Sequence, residues 1–190
     1  MSTDDKNDFS IFLTEFRKKL SDEGIRLSRP ASVDAITAWE EENSSTIPLD
    51  FREYLYVING FKEHEMFELT SLWALENIKR ITDLFTPSNE KSNDVNEALS
   101  RNITYSLSLP GYKEFIIDKD QWGLSDPASY FVFGDYLINS CYWAIKMPQA
   151  GGTGNEIISI YDYGNSYKIV SDSFANFLTT LVHEGPEALI

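Results

Sequence analysis

The pattern of apolar and polar positions predicts helices in the N-terminal half, strands in the middle and one closing helix. The densest apolar run is Tyr130 to Met147, YFVFGDYLINSCYWAIKM. Its aromatic and β-branched residues lie on both sides of Leu137 to Ser140, which predicts two buried strands joined by a turn. Asp135 is the only acid in the run. We therefore expect this run to form the scaffold at the centre of a sheet, with Gly134-Asp135 at a bend or strand end.

Four helices are predicted in the N-terminal half, because apolar residues recur there at helical spacing. The predicted spans are 8–20, 32–43, 48–60 and 71–85. Ser32 can cap the second helix, and Ser71 can cap the fourth. Pro48 opens the third helix, and Asn59-Gly60 closes it as left-handed cap residues.

The remaining segments favour strands and loops. Alternating apolar and charged residues from Phe61 to Leu69 predict a short strand whose acids stay in water. Further strands are predicted at 103–109, 112–117, 157–163 and 167–170. The glycine-rich segment 148–156 is typical of a hairpin loop. A last helix begins after Asp172 or Ser173 with an apolar stripe on one side, and Gly185-Pro186 stops it.

The length and composition indicate one domain. A chain of 190 residues with 42% hydrophobic residues can bury a large core. We expect a single domain over residues 1–190, with a flexible tail at 1–7 and a polar insertion at 87–101. The start, MSTDDKND, lacks the basic and apolar regions of a signal peptide, and no apolar run is long enough to span a bilayer. We therefore expect a cytoplasmic protein.

The charge balance limits the class of partner. Thirty acidic residues stand against sixteen basic ones, which gives a formal net charge of −14. Such a protein repels nucleic acid and anionic membrane surfaces, so we expect neither as a partner. A basic protein is the natural complement, although acidity also serves solubility alone.

The inventory of reactive side chains argues against an enzyme. Cys141 lies in an apolar strand pattern, where a small buried thiol is the usual explanation. His64 and His183 have no second histidine or cysteine at metal-ligand spacing. Two acids brought together in space, as in a glycosidase, stay an alternative that sequence alone leaves open. We predict no catalytic residue, no metal site and no cofactor.

Two separated motifs carry a family resemblance. The first is IPLDFREYLYVINGF, in which a proline turn precedes a helix that ends in Asn-Gly. The second combines YFVFGDYL with the later strands and SDSFANFLTTLV. In this order, from Pro30 to Val182, the motifs resemble the SMI1/KNR4 (SUKH) superfamily. The chain departs from the simplest pattern by Ile47-Pro48 in place of Leu-Pro, by the first helix and by the polar insertion.

The resemblance implies an α+β domain whose central mixed or antiparallel sheet packs against N-terminal and C-terminal helices. It also implies a role without a cofactor. Bacterial members of the superfamily act largely as immunity proteins that bind and neutralise polymorphic or contact-dependent toxins, often nucleases. Fungal relatives are intracellular regulators of cell-wall synthesis. The expected function is therefore toxin neutralisation, with a regulatory protein-interaction module as the alternative.

Candidate partner-binding residues are sought among the acidic and aromatic loops at the margins of the sheet. They are Glu63, Glu65, Asp118, Asp120 and Trp122. Carboxylates there would steer a basic partner, and the indole would supply an apolar anchor. Each acid is also compatible with simple solvation, and Trp122 with core packing.

Overall fold

The computed structural model describes residues 3–62, 65–85, 111–114, 116–118, 121–137, 140–148, 154–161 and 166–190. Within these ranges the helices are α1 (Thr3–Asp22), α2 (Val33–Asn43), α3 (Leu49–Val57), α4 (Ile81–Leu84) and α5 (Phe174–Glu184). None of them is long and apolar enough to cross a membrane.

The helix ends follow the local signals in the sequence. Ser32 caps α2 by accepting a hydrogen bond from the backbone N–H of Ala35 at 3.1 Å. Ser173 caps α5 in the same way through the N–H of Asn176, at 3.2 Å. These predicted caps are confirmed. Helix α1 begins at Thr3, inside the segment 1–7 that was predicted to be a flexible tail, and the flexibility itself stays a prediction.

The strands form one antiparallel sheet and a separate hairpin. The strands are β1 (Thr70–Leu72), β2 (Lys79–Arg80), β3 (Lys113–Glu114), β4 (Ile116–Asp118), β5 (Gln121–Trp122), β6 (Tyr130–Tyr136), β7 (Cys141–Lys146), β8 (Ile157–Tyr161) and β9 (Ser166–Ser171). The main sheet has the order β1-β6-β7-β8-β9-β3, and β2 pairs with β6 along the same side as β1. Strands β4 and β5 pair with each other. The α+β prediction is confirmed, with every described pair antiparallel.

The first face of the main sheet carries the larger core. Helices α1, α3 and α5 cover it with aromatic side chains. Phe133 of β6 lies within 5.5 Å, centroid to centroid, of the rings of Phe51, Phe174 and Phe177, so three elements meet at one side chain. Aromatic pairs at such distances stabilise a core beyond their buried area.

The second face carries a smaller core. Its fully buried residues include Val132, Ala144, Ile158 and Ile160, with Ile81 from α4 packed against them. Around them lie the half-buried aromatic residues Trp73, Phe85, Trp122 and Tyr142. The sheet is therefore apolar on both faces, which explains why its central strands show continuous apolar runs rather than strict alternation.

A β-bulge in β6 decides which residues reach each face. Val132 pairs with Ala144 and Gly134 pairs with Trp143, which leaves Phe133 as the extra residue. After the bulge, Tyr136 packs in the first core and Asp135 lies on the second face. A Cβ atom at Gly134 would lie 2.8 Å from the carbonyl oxygen of Ser71, so glycine lets β1 approach β6. The predicted bend is thus a bulge inside a strand that continues to Tyr136.

Two predicted elements between residues 61 and 85 are wrong. Residues 65–69 hold only an isolated bridge and a turn, and the strand lies later, at β1. The predicted helix over 71–85 is replaced by β1, a 3₁₀ turn at Leu75–Asn77, β2 and α4. The reason is tertiary, because β6 offers its free side to β1 and β2, and backbone pairing there outweighs local helical spacing. The insertion 87–101 and the predicted strand 103–109 lie outside the described residues.

Candidate protein-binding surface

The Asn59-Gly60 pair after α3 joins three segments of chain. Asn59 has φ of 52°, and its side chain donates to the carbonyl of Arg29 at 2.8 Å and accepts from the N–H of Leu75 at 3.0 Å. Gly60 has φ of 74°, and a Cβ atom there would lie 2.4 Å from the carbonyl carbon of Trp73. The predicted left-handed cap is confirmed, and it fixes the start of the loop that carries Glu65.

Glu65 lies in this loop against the segment that follows α1. Its carboxylate accepts a hydrogen bond from the guanidinium of Arg26, which lowers the pKa of Glu65 below its ordinary value. The Arg26 side chain is 68% exposed, whereas that of Glu65 is 18% exposed. A partner that approaches Glu65 therefore meets a carboxylate that is already paired with an exposed arginine. Glu63, four residues past Asn59, lies outside the described residues.

Trp122 lies in a strand and not, as was predicted, in a loop. It belongs to β5, where it pairs with Ile116 of β4, and it is half-buried against the second core. Tyr167 of β9 donates to the carbonyl of Gly123 at 3.5 Å, which places the hairpin over the β9 side of the sheet. Asp118 ends β4 opposite Gln121. Asp120 lies outside the described residues.

A cleft of about 460 Å³ lies at the β1 edge of the second face. We name it the tryptophan cleft; its lining residues are Phe61, Lys62, Ser71, Trp73, Asn77, Lys79 and Leu84. The indole of Trp73 donates to the buried carboxylate of Asp135 at 2.8 Å, which fixes the ring. Glu65 adjoins this cleft, because its N–H bonds the carbonyl of Lys62 at 3.0 Å. The exposed lysines Lys62 and Lys79 give the cleft itself a basic character.

Sequence reasoning missed Trp73, because the residue fell within the wrongly predicted helix over 71–85. One feature of the sequence could have indicated that Trp73 lies against the sheet. Asp135 is the only acid in the apolar run of the sheet, and a buried carboxylate requires a hydrogen-bond donor. The indole N–H of Trp73 is such a donor, and Trp73 directly follows β1, the strand next to β6.

A second concave surface lies among the helices. This helical groove has a volume of about 710 Å³; its lining residues are Asp8, Phe9, Phe12, Leu49, Asp50, Asn155, Ser173, Ala175, Asn176 and Thr179. Leu49 is 68% exposed at its edge and Phe12 is half-buried. The Asp50 carboxylate accepts hydrogen bonds from Asn155 at 3.1 Å and from the N–H of Ala175 at 2.9 Å. Because Asp50 is buried and its carboxylate accepts these bonds, the accessible part of the groove combines apolar side chains with the exposed carboxylate of Asp8.

The described residues hold no cluster of three or more histidine, cysteine or acidic side chains that could bind a metal. Cys141 is fully buried, and burial raises the pKa of its thiol to about 12. His183 is exposed on α5 with its ring 6.0 Å from that of Phe12. Glu40 of α2 binds Arg52 of α3 at 2.5 Å, so this acid joins two helices. The burial of Cys141 confirms the prediction that it is a core residue.

The motif order and the antiparallel sheet invite comparison with known families. The profile of the SMI1 / KNR4 family (SUKH-1) matches residues 30–180. The chain belongs to this family. The match begins just before α2 and ends within α5, so it includes the sheet, Asn59-Gly60 and the tryptophan cleft. The comparison with curated proteins found no match.

Membership of the SMI1/KNR4 family is consistent with an immunity protein or a protein-interaction module. The family consists in general of binding modules rather than enzymes. Helix α1 lies before the matched region, yet it contributes Phe9, Leu13, Phe16 and Leu20 to the larger core. The helical groove is thus built partly from a helix that precedes the family match.

Proposed function

We propose that this SMI1/KNR4 protein is an immunity protein that binds and neutralises a basic toxin domain, a nuclease, of a polymorphic or contact-dependent system. The observation that carries the proposal is the family match over residues 30–180, combined with a net charge of −14. Nucleases present cationic surfaces to their substrate, because phosphate contacts supply most of the affinity for nucleic acid. An acidic protein placed over such a surface competes with that substrate.

The proposed contact residues are Glu63, Glu65, Asp118, Asp120 and Trp122. Among the described positions, Glu65 adjoins the β1 edge of the second face, and Trp122 packs on that face near β9. A half-buried indole supplies apolar area at low entropic cost, as in other interface anchors. The lysines of the tryptophan cleft would repel a basic partner, so we place the cationic part of the partner beside the cleft, at the acidic loops.

The test of function starts from the genes next to this one and takes as the candidate toxin the C-terminal domain of a large secreted protein found among them. Cells that express this domain alone should die, and cells that also express the immunity protein should survive. Survival of cells with the toxin domain alone contradicts the proposal. Binding to that domain without protection would instead favour the regulatory module.

The test of the contact residues compares two exchanges of the same kind. Glu65→Lys should weaken binding to a catalytically inactive toxin domain by about tenfold, mainly through slower association. Glu76→Lys, at an exposed position of the 3₁₀ turn, is the matched control and should change the dissociation constant by less than about twofold. Equal effects of the two substitutions would show that binding depends on the net charge of the protein, and Glu65 would then not be a contact residue.

A further inference from the structure

The end of the main sheet beside β1 carries two leucines in an unusual conformation. Among the described residues, six large apolar side chains are exposed, and two of them, Leu69 and Leu137, also have positive φ. Leu69 is 54% exposed with φ of 62°, and Leu137 is 43% exposed with φ of 50°. Bulky residues rarely adopt this region, because the Cβ atom crowds the backbone.

The two leucines lie opposite each other. Thr70 pairs with Tyr136 in the sheet, and the N–H of Leu137 donates to the carbonyl of Leu69 at 3.0 Å. Leu69 occupies a two-residue turn with Glu68, closed by reciprocal hydrogen bonds between Phe67 and Thr70 at 2.9 and 2.8 Å. Glu68 also has positive φ. Such a turn favours Asn-Gly, so folding alone gives no reason for leucine there.

Two carboxylates border the leucine pair. The hydroxyl of Tyr136, one residue before Leu137, donates to Glu187 at 2.8 Å, which lowers the pKa of that carboxyl. A Cβ atom at Gly185 would lie 3.2 Å from Oε2 of Glu187 and 4.0 Å from Oε2 of Glu68. Both acids are exposed. We call Glu68 and Glu187 the carboxylate rim of the leucine pair.

We propose that the leucine pair is the apolar centre of the surface that docks the partner, and that the partner presents an apolar pocket bordered by lysine or arginine. This inference rests on the proposed function and adds a contact site to it. Strained residues persist where the conformation serves a function, and an apolar centre with a charged rim is the anatomy of an interface. Because the rim is acidic, two copies of this chain would repel each other here, whereas a basic partner is attracted.

The test replaces both leucines by asparagine, which tolerates positive φ and removes the apolar contact. The double variant Leu69→Asn, Leu137→Asn should bind the inactive toxin domain at least tenfold more weakly, about 1.4 kcal/mol. Its melting temperature should not fall, because the strain of the two leucines is relieved. Val33→Asn, at a position 65% exposed on α2, is the matched control and should leave the dissociation constant within about twofold.

The outcomes separate this inference from the proposed function. If the unmodified protein binds the toxin domain and the folded double variant binds equally well, the leucine pair is not the docking centre, and toxin neutralisation stands. If the unmodified protein does not bind, the proposed function fails, and the inference fails with it. Should the double variant not fold, Glu68→Arg tests the rim instead. Unchanged affinity of that variant would also overturn the inference.

Discussion

The carboxylate of Asp50 in α3 accepts a hydrogen bond from the backbone N–H of Ala175 in the first turn of α5, at 2.9 Å. One oxygen also accepts the N–H of Phe51, and both accept from Asn155. Asp50 is 4% exposed. A buried carboxylate at a helix N-terminus is stabilised by the free N–H groups and the helix dipole. This contact joins the two family motifs in space.

Asp50→Asn should therefore destabilise the fold. The substitution removes the charge and sets an N–H group against the N–H groups of Asn155 and Ala175. We expect a loss of about 2 to 3 kcal/mol in the free energy of unfolding, measured by urea denaturation. Asp22→Asn, at the exposed end of α1, is the matched control and should change stability by less than about 0.5 kcal/mol. Equal effects of the two changes would contradict the role of Asp50.

Gly60→Ala tests whether the backbone at Gly60 packs closely against the backbone of Trp73. Gly60 and Gly24 have similar φ, 74° and 78°, but only a Cβ atom at Gly60 would meet backbone, at 2.4 Å from Trp73. Gly24→Ala should cost about 1 kcal/mol from left-handed strain alone. Gly60→Ala should cost at least about 2 kcal/mol more, because the loop or β1 must move. Similar melting temperatures for the two variants would show that there is room for a methyl group between residue 60 and the backbone of Trp73.

The bond between Tyr136 and Glu187 predicts a specific pH dependence. The hydrogen bond from Tyr136 lowers the pKa of Glu187, so its contribution to stability is present above the ordinary carboxyl pKa and is lost as pH falls through the folded value. Burial, with the bond to Glu187, raises the pKa of Tyr136 to about 12. The contribution of the Tyr136 hydroxyl to stability is present below pH 10 and is lost as pH rises through about 12.

Tyr136→Phe should therefore differ most from the unmodified protein between about pH 6 and pH 9. The difference in unfolding free energy should shrink toward both acid and alkaline pH, as followed by urea denaturation at fixed ionic strength. Tyr56→Phe, on α3, controls for the loss of a hydroxyl and should show no such bell-shaped difference. A difference that is independent of pH would rule out this coupling.

Cys141 should be inert in the native protein. Its thiol is buried, lies 3.0 Å from the hydroxyl of Ser159, and has a pKa raised to about 12 by burial. At pH 8 a disulfide reagent should react only as fast as the sheet opens, since the thiolate is the reactive form. In guanidinium chloride the chain should release one equivalent of thiol, because it contains one cysteine. Complete reaction of the native protein within seconds would contradict the assignment of Cys141 as a buried, unreactive core residue.

The sequence predicted those elements whose signals are local. The helices α2, α3 and α5 were found from the caps Ser32 and Ser173 and from the Asn59-Gly60 end, and the structure bears them out. The two central strands followed from the run of apolar residues between Tyr130 and Met147. Caps and turns act over three or four residues, so they can be read without knowledge of the tertiary structure.

The segment from Phe61 to Phe85 could not be predicted because its structure depends on distant partners. β1 and β2 are strands only because β6 lies beside them, more than fifty residues away in sequence. The same holds for the candidate surface. The Trp73–Asp135 bond spans 62 residues, and the Leu69–Leu137 bond spans 68. Trp122 was found as an aromatic residue, but its packing against the second core required the sheet.

Titration of the purified nuclease toxin domain with the purified protein tests the central claim most directly. Nuclease activity should fall linearly to near zero at one equivalent, and the association rate should drop steeply as salt rises from low to physiological concentration. The steep dependence is expected because this protein has a net charge of −14 and the proposed partner is basic. Full nuclease activity in the presence of excess protein, with no complex on size-exclusion chromatography, would contradict the claim that this protein is an immunity protein.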